Sequence, residues 1–257
     1  MTSEKYYEKA EIYYINSQYE KALSYFKKSY ELKESNDCLN YIGCCYLELN
    51  NHISAISTFR KLNKNNPGWE RPLFNLGRVY LKTENFKQAL SYFQKAILLN
   101  PDNADTYYYL GVYYDKIKEY ERAKTYYEKS LFIDNKQSET HLNLGMCYFR
   151  LDDYENALKE FNLAYDYDNN CIDAIKNQGL VFLARKDYVD ALKKFLFMSE
   201  VEPDNIENML DIAFCYYRIK NMENAREWIN RITKVDANNE EANKLLKAII
   251  RRSSVSD

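Results

Sequence analysis

Apolar, small and polar residues along this chain fall into registered columns. Glycine recurs at Gly43, Gly77, Gly111, Gly145 and Gly179, each 34 residues after the last, and Ala213 continues the column. Twelve residues after each stands an alanine: Ala55, Ala89, Ala123, Ala157, Ala191 and Ala225. A ring follows each column member by three residues (Tyr46, Tyr80, Tyr114, Tyr148, Phe182, Tyr216), and Phe59, Phe93, Tyr127, Phe161, Phe195 and Ile229 follow by sixteen. Pro67, Pro101 and Pro203 share one phase, twenty-four after the small residue. An earlier unit, one residue shorter, places Ala10, Tyr13, Ala22 and Phe26 at the same phases.

Each unit therefore predicts two antiparallel helices, here termed A and B. Glycine or alanine lets the two backbones approach, and the ring fills the space beside the contact. Proline ends the B helix because it cannot continue the hydrogen-bond ladder and restrains the residue before it. Short polar segments such as Thr83-Glu84-Asn85 suit tight helical turns. One hairpin cannot bury its own apolar face, so neighbours must stack.

Composition narrows the alternatives. Six Gly and four Pro in 257 residues are too few for the turns of a sandwich, barrel or nucleotide-binding fold. A net charge of −2 favours neither nucleic acid nor an anionic membrane as partner. No stretch approaches the roughly 18 apolar residues of a membrane span, and the first residues lack the apolar core of a signal peptide. The expectation is a cytoplasmic protein. The six cysteines form no CxxC, and neither His52 nor His141 lies at zinc-ligand spacing from them, so no metal site, cofactor or catalytic set is expected. Cys45, Cys147 and Cys215 share one phase as small fillers, whereas Cys44 faces the A-helix surface, where Arg78 offers a thiolate partner.

The unit from Pro72 to Pro101, with its Leu-Gly, Tyr, Ala, Phe, Ala and Pro in order, resembles the tetratricopeptide repeat family. The tryptophan usual near the start of the family's unit is Leu73 here, and Tyr107 or His141 in later units. The resemblance implies an all-α, right-handed α-α superhelix of antiparallel helix pairs. Seven tandem units span 3–237, a capping helix 238–252, and a disordered tail 253–257.

The resemblance also implies a non-enzymatic scaffold whose A helices line a concave groove for a peptide or protein segment. Carrying the family's inward positions onto this chain gives Asn40, Arg71, Phe74, Asn75, Arg78, Tyr108, Tyr109, Val112, Asn143, Met146, Lys176, Asn177, Asp211 and Phe214 as candidate binding residues. Asn75, Asn143 and Asn177 share one phase, and an amide there donates to and accepts from peptide backbone at once. Along this face Glu4, Glu8, Glu11, Asp37 and Glu48 precede Arg71, Arg78, Lys82 and Lys116, with Arg150 and Lys176 further on. This order predicts a partner that lays acidic residues against Arg71 and Arg78 and basic ones near Glu8 and Glu11. The Lys/Asn pair by which some family members clamp chaperone tails is missing. Two other readings remain open: self-assembly through the terminal units, including a homo-oligomer, and a substrate-docking subunit of a separate enzyme.

Overall fold

The computed structural model describes residues 1–253. Among them are fifteen α-helices and no strand. The A helices are α1 (Ser3–Ile15), α3 (Asn36–Glu48), α5 (Glu70–Lys82), α7 (Ala104–Lys116), α9 (Ser138–Arg150), α11 (Ile172–Ala184) and α13 (Ile206–Arg218). The B helices are α2 (Tyr19–Leu32), α4 (His52–Asn65), α6 (Phe86–Leu99), α8 (Tyr120–Ile133), α10 (Tyr154–Tyr167), α12 (Tyr188–Val201) and α14 (Met222–Val235). A final helix, α15, runs Glu240–Ser253. The tail expected from Ser253 therefore begins one residue inside a helix, and its remainder, 254–257, lies outside the described residues.

The chain divides into two compact units, Met1–Ile133 and Asp134–Asp257. The first holds four A/B hairpins, each B helix packing on the next A helix, with α3 on α5 and α5 on α7 besides. The second holds three hairpins in the same order, followed by α15, which packs on α14 and α13. Each unit is thus an all-α stack of antiparallel helix pairs, as the columns predict.

The A-to-B turns share one backbone solution. Ser17, Asn50, Glu84, Lys118, Asp152, Lys186 and Lys220 all take positive φ, between 57° and 67°. One left-handed residue ends helix A and frees the next residue to start helix B. In Thr83-Glu84-Asn85, the Asn85 amide reaches back to the Tyr80 carbonyl at 2.8 Å. Its side chain then caps α6 by accepting from the Gln88 amide.

The crossing of the two helices explains the glycine column. A Cβ built on Gly77 would stand 2.5 Å from two ring carbons of Phe93, and the other four column glycines meet their partner rings at 2.4–2.6 Å. The rings themselves are fully buried. Where alanine replaces glycine at the last hairpin, Ala213, the facing residue is the slimmer Ile229. In the first hairpin Ala10 coexists with Phe26, and no hairpin packs on the far side of α1 among the described residues.

Many of the 26 tyrosines serve the hairpins of the first unit. Tyr13 stacks on Tyr25, Tyr80 on Tyr92 and Tyr114 on Tyr126, with ring centroids 5.1–5.4 Å apart. Lys28, Lys95 and Lys129 lie over the second ring of each pair at 5.3–5.5 Å. The aromatic column thus belongs chiefly to the hairpin itself, and Arg60 supplies a link from the preceding hairpin by donating to the Tyr80 hydroxyl at 2.9 Å.

Both ends change residue type at core phases. Lys5, Lys9 and Ile12 stand where α3 buries Cys38, Ile42 and Cys45. At the other end α15 occupies an A-helix seat. Its Ala242 and Ile249 are fully buried at the phases of Asn208 and Cys215, but Lys247 sits in the glycine column, where a B helix would need a small residue.

Gly77→Ala tests the crossing. The added methyl gains helix propensity but overpacks against a ring with nowhere to move, so a net loss of about 1–2 kcal/mol is expected. Thermal or urea unfolding measures it, and Phe93→Ile in the same chain should recover most of the loss.

Candidate functional site

The predicted binding residues lie on A helices, and the two units treat them differently. In the first, α3, α5 and α7 are joined by a connected polar set. The Asn75 amide donates to Asn40 Oδ1 at 2.8 Å and lies 3.7 Å from Cys44 Sγ. Its carbonyl oxygen accepts from Arg78 Nη1 at 3.3 Å, and Arg78 Nη2 pairs with Glu48 at 3.1 Å. The guanidinium also lies over the rings of Phe74 and Tyr109, at 5.8 and 5.2 Å.

This set corrects part of the sequence expectation. Asn75 and Phe74 are buried, at 1% and 4% exposure. Asn75 has spent its amide within the chain, and Phe74 packs against Phe93 and Tyr109. Neither presents a free group to a peptide. The cause is an asparagine on the neighbouring helix: Asn40, one position off the expected phase, reaches Asn75 before any guest could. Cys44 is likewise no reactive thiol, because burial pushes it up to about 11 despite the nearby Arg78. Arg71 remains half-exposed and lies 3.9 Å from Asp105 of α7, a weak pairing.

Tyr108, Tyr109 and Val112 stay partly exposed on α7. Tyr109 and Val112, with Leu47, Glu48, Arg78, Leu81, Lys82 and Lys116, line a cleft of about 290 Å³ at the C-terminal ends of α3, α5 and α7. Lys82 and Lys116 were expected as basic groups of this face but were not among the predicted binding residues. Their signal was present, since they share the phase of Glu48, but the significance of that phase depends on which neighbouring charges are already paired.

The second unit presents its own set of contacts. Asn143, Met146 and Asn177 are all partly exposed, with Met146 packed against the cluster of Ala157, Phe161 and Val181. Phe214 lies 6.2 Å from Tyr188, and Arg218 stacks on both rings. Lys176 donates to Glu207 at 2.9 Å. Asp211 stands beside this pair, and burial together with Glu207 and Glu241 pushes its carboxyl up to about 6, against the opposing pull of Lys176.

His141 is buried, as its core phase predicts, but it also carries a polar contact not anticipated from the sequence. Nδ1 lies 2.7 Å from Glu160 and Nε2 3.1 Å from the Asn135 carbonyl. These two phases hold the ring pairs Tyr6–Tyr25 and Tyr107–Tyr126 in other hairpins, so the polar pair substitutes for an aromatic one.

Comparison with known proteins agrees with this architecture. Tetratricopeptide repeat models match residues 4–36, 71–103, 92–125, 138–171 and 182–249. The chain belongs to the tetratricopeptide repeat family. None of the curated protein sequences matches it. Among solved structures, PilF of Pseudomonas aeruginosa is 17% identical, with a TM-score of 0.71 over 83% of this chain and 97% of that one. PilW, a type IV pilus biogenesis factor, is 17% identical with a TM-score of 0.70, over 82% of this chain and 98% of that one. YrrB, described as a TPR protein with an unusual peptide-binding site, is 22% identical with a TM-score of 0.66, over 74% and 97% respectively. At these identities the likeness concerns the fold. Among the described residues no helix is long and apolar enough to cross a membrane.

The Asp211 carboxyl gives a test of the second unit's face. Its folded value lies above the unfolded one of about 3.9, so on raising the pH the unfolded chain releases its proton first. Stability therefore falls between about pH 4 and pH 6 and stays lower above. Asp211→Asn should stabilise the chain at pH 7 by about 1–2 kcal/mol, allowing for solvent screening, and leave it unchanged at pH 4. Urea unfolding at the two pH values measures the difference.

Proposed function

We propose that this chain is a scaffold whose A-helix faces hold a segment of a partner protein. Family membership supports protein interaction in general. The observation that carries the finer reading is the cleft beside α7, where Val112 and the outer part of Tyr109 remain partly exposed although Tyr109 also packs on Phe74 and Phe93. A recess with apolar walls and a few oriented polar groups is the ordinary form of a ligand site. The second unit offers its own face, with partly exposed Leu142, Leu180, Leu210 and Phe214 around Asn177 and Asp211. The peptide-binding site named for YrrB supports the same kind of task.

Self-assembly through the first hairpin is the weaker reading. Lys5 and Lys9 occupy phases that must be apolar for another hairpin to stack there, and burying two ammonium groups, of which Lys9 has the Tyr25 ring beside it, is strongly unfavourable.

Selection from a displayed library of random peptides tests the scaffold reading. Wild-type chain should enrich binders. Val112→Glu on the first unit or Leu210→Glu on the second should weaken those binders at least about tenfold, the scale of one lost buried contact. Circular dichroism checks that both variants remain helical. Binders indifferent to both substitutions place recognition elsewhere on the surface.

A further inference from the structure

Within the first unit, the cleft at the ends of α3, α5 and α7 has a definite electrostatic character. Glu48, Lys82 and Lys116 occupy one phase on three successive A helices. Glu48 is already neutralised by Arg78 at 3.1 Å. Lys82 and Lys116 are exposed, and neither has a carboxylate within ion-pair distance among the described residues. Lys82 makes only a long contact of 3.4 Å to the Leu47 carbonyl. The cleft therefore presents two uncompensated ammonium groups around the apolar side chains of Leu81, Tyr109 and Val112.

A lysine in the last turn of a helix also complements the helix dipole, by about 0.3–1 kcal/mol. That accounts for one lysine on one helix. It does not account for the phase as a whole, because α3 carries Glu48 there, the sign the dipole disfavours. What separates Glu48 from the two lysines is its partner, Arg78. The charge left over at this phase is positive and faces the cleft.

We propose that this cleft receives an acidic segment of the partner, with two carboxylates three residues apart in polyproline-II conformation and an apolar residue between them. The proposal rests on the reading that the A-helix face holds a partner segment, and it specifies the chemistry of that segment. The spacing follows from the packing of α5 on α7. Helices in contact lie about 8–10 Å apart, and the flexible stems of Lys82 and Lys116 let their ammonium groups reach a separation of that order. A polyproline-II segment advances about 3.1 Å per residue with three residues per turn, so carboxylates at i and i+3 point the same way about 9 Å apart. A β-strand cannot meet this spacing, since its i and i+3 side chains point to opposite faces. The intervening apolar residue meets Val112 and Tyr109.

Fluorescence anisotropy with three labelled peptides decides the matter. The probes carry Glu-Pro-Leu-Glu, Gln-Pro-Leu-Gln or Lys-Pro-Leu-Lys between identical Gly-Ser flanks. The Glu peptide should bind best and lose affinity with added salt. Lys82→Glu and Lys116→Glu should each weaken it about tenfold or more, the scale of a charge-assisted contact. Lys87→Glu, on the exposed surface of α6, changes the net charge equally and should leave binding intact. Equal binding of the Gln peptide overturns the proposal, as does no binding of the Glu peptide or an equal effect of Lys87→Glu. If the Glu peptide fails while the display library yields binders sensitive to Val112→Glu, the acidic assignment falls and the scaffold reading stands. Binders indifferent to every A-face substitution remove both.

Discussion

The closest approach in each hairpin is between a backbone and the edge of a ring, and the rest of the architecture follows from it. At Gly77 the Phe93 ring occupies the space a methyl group would need. The A helix thereby settles onto its B helix at a fixed depth. That depth sets where the stacked tyrosines meet on one side and which A-helix positions remain open on the other. Dispersion contacts of a fully buried ring are individually small and jointly large, and they decay steeply with a gap. A hairpin that opened slightly would lose the ring contact and the tyrosine pairing together.

The A-helix face is then what remains after the hairpins have closed and stacked, and stacking uses some of its polar groups. Asn40, Asn75, Arg78 and Glu48 tie α3 to α5, and Arg78 reaches on to Tyr109 of α7. A buried polar set of this kind is favourable only when nearly every member is satisfied. Here the Arg78 Nε is the one atom of the set left buried without a partner among the described residues. Those links hold the first three A helices in register, and at the ends of the helices Lys82 makes only its long contact to the Leu47 carbonyl. In the second unit Gln178 takes a leucine-type phase, donates to Asn162 at 2.9 Å, and keeps a buried carbonyl oxygen unpaired.

The fold was legible because its signal is redundant: glycine, alanine, ring and proline columns repeat over several units, and each follows from one steric requirement. Helix phases and the small cysteines at Cys45, Cys147 and Cys215 were readable from the same columns. The site was only partly legible. Phase identifies which residues face the A side, but it does not say whether a given amide or carboxylate is already bonded by a neighbouring helix. Asn75 and Asn177 stand at the same phase; one is buried against Asn40, and the other is partly exposed. The difference lies in a residue 35 positions earlier, and no single column records it. The His141–Glu160 contact was hidden for the same reason, because it needs two departures from the repeat at once.

This contrast shows how a repeat chain separates stability from recognition. Column residues cannot vary without disturbing the crossing, so they carry little information about a partner. Departures from the columns are where the chain becomes particular. Lysines at core phases of α1 and in the glycine column of α15 discourage further stacking. Arg78 locks three helices together, and its pairing with Glu48 leaves two lysines uncompensated at one phase. The last departure differs from the others because its contact within the stack is slight, the 3.4 Å approach of Lys82 to the Leu47 carbonyl. A stack of hairpins would be as well packed with glutamine at Lys82 and Lys116. What those ammonium groups add is a field at the mouth of an apolar cleft, and a field of that kind distinguishes one guest segment from another more than it holds the host together.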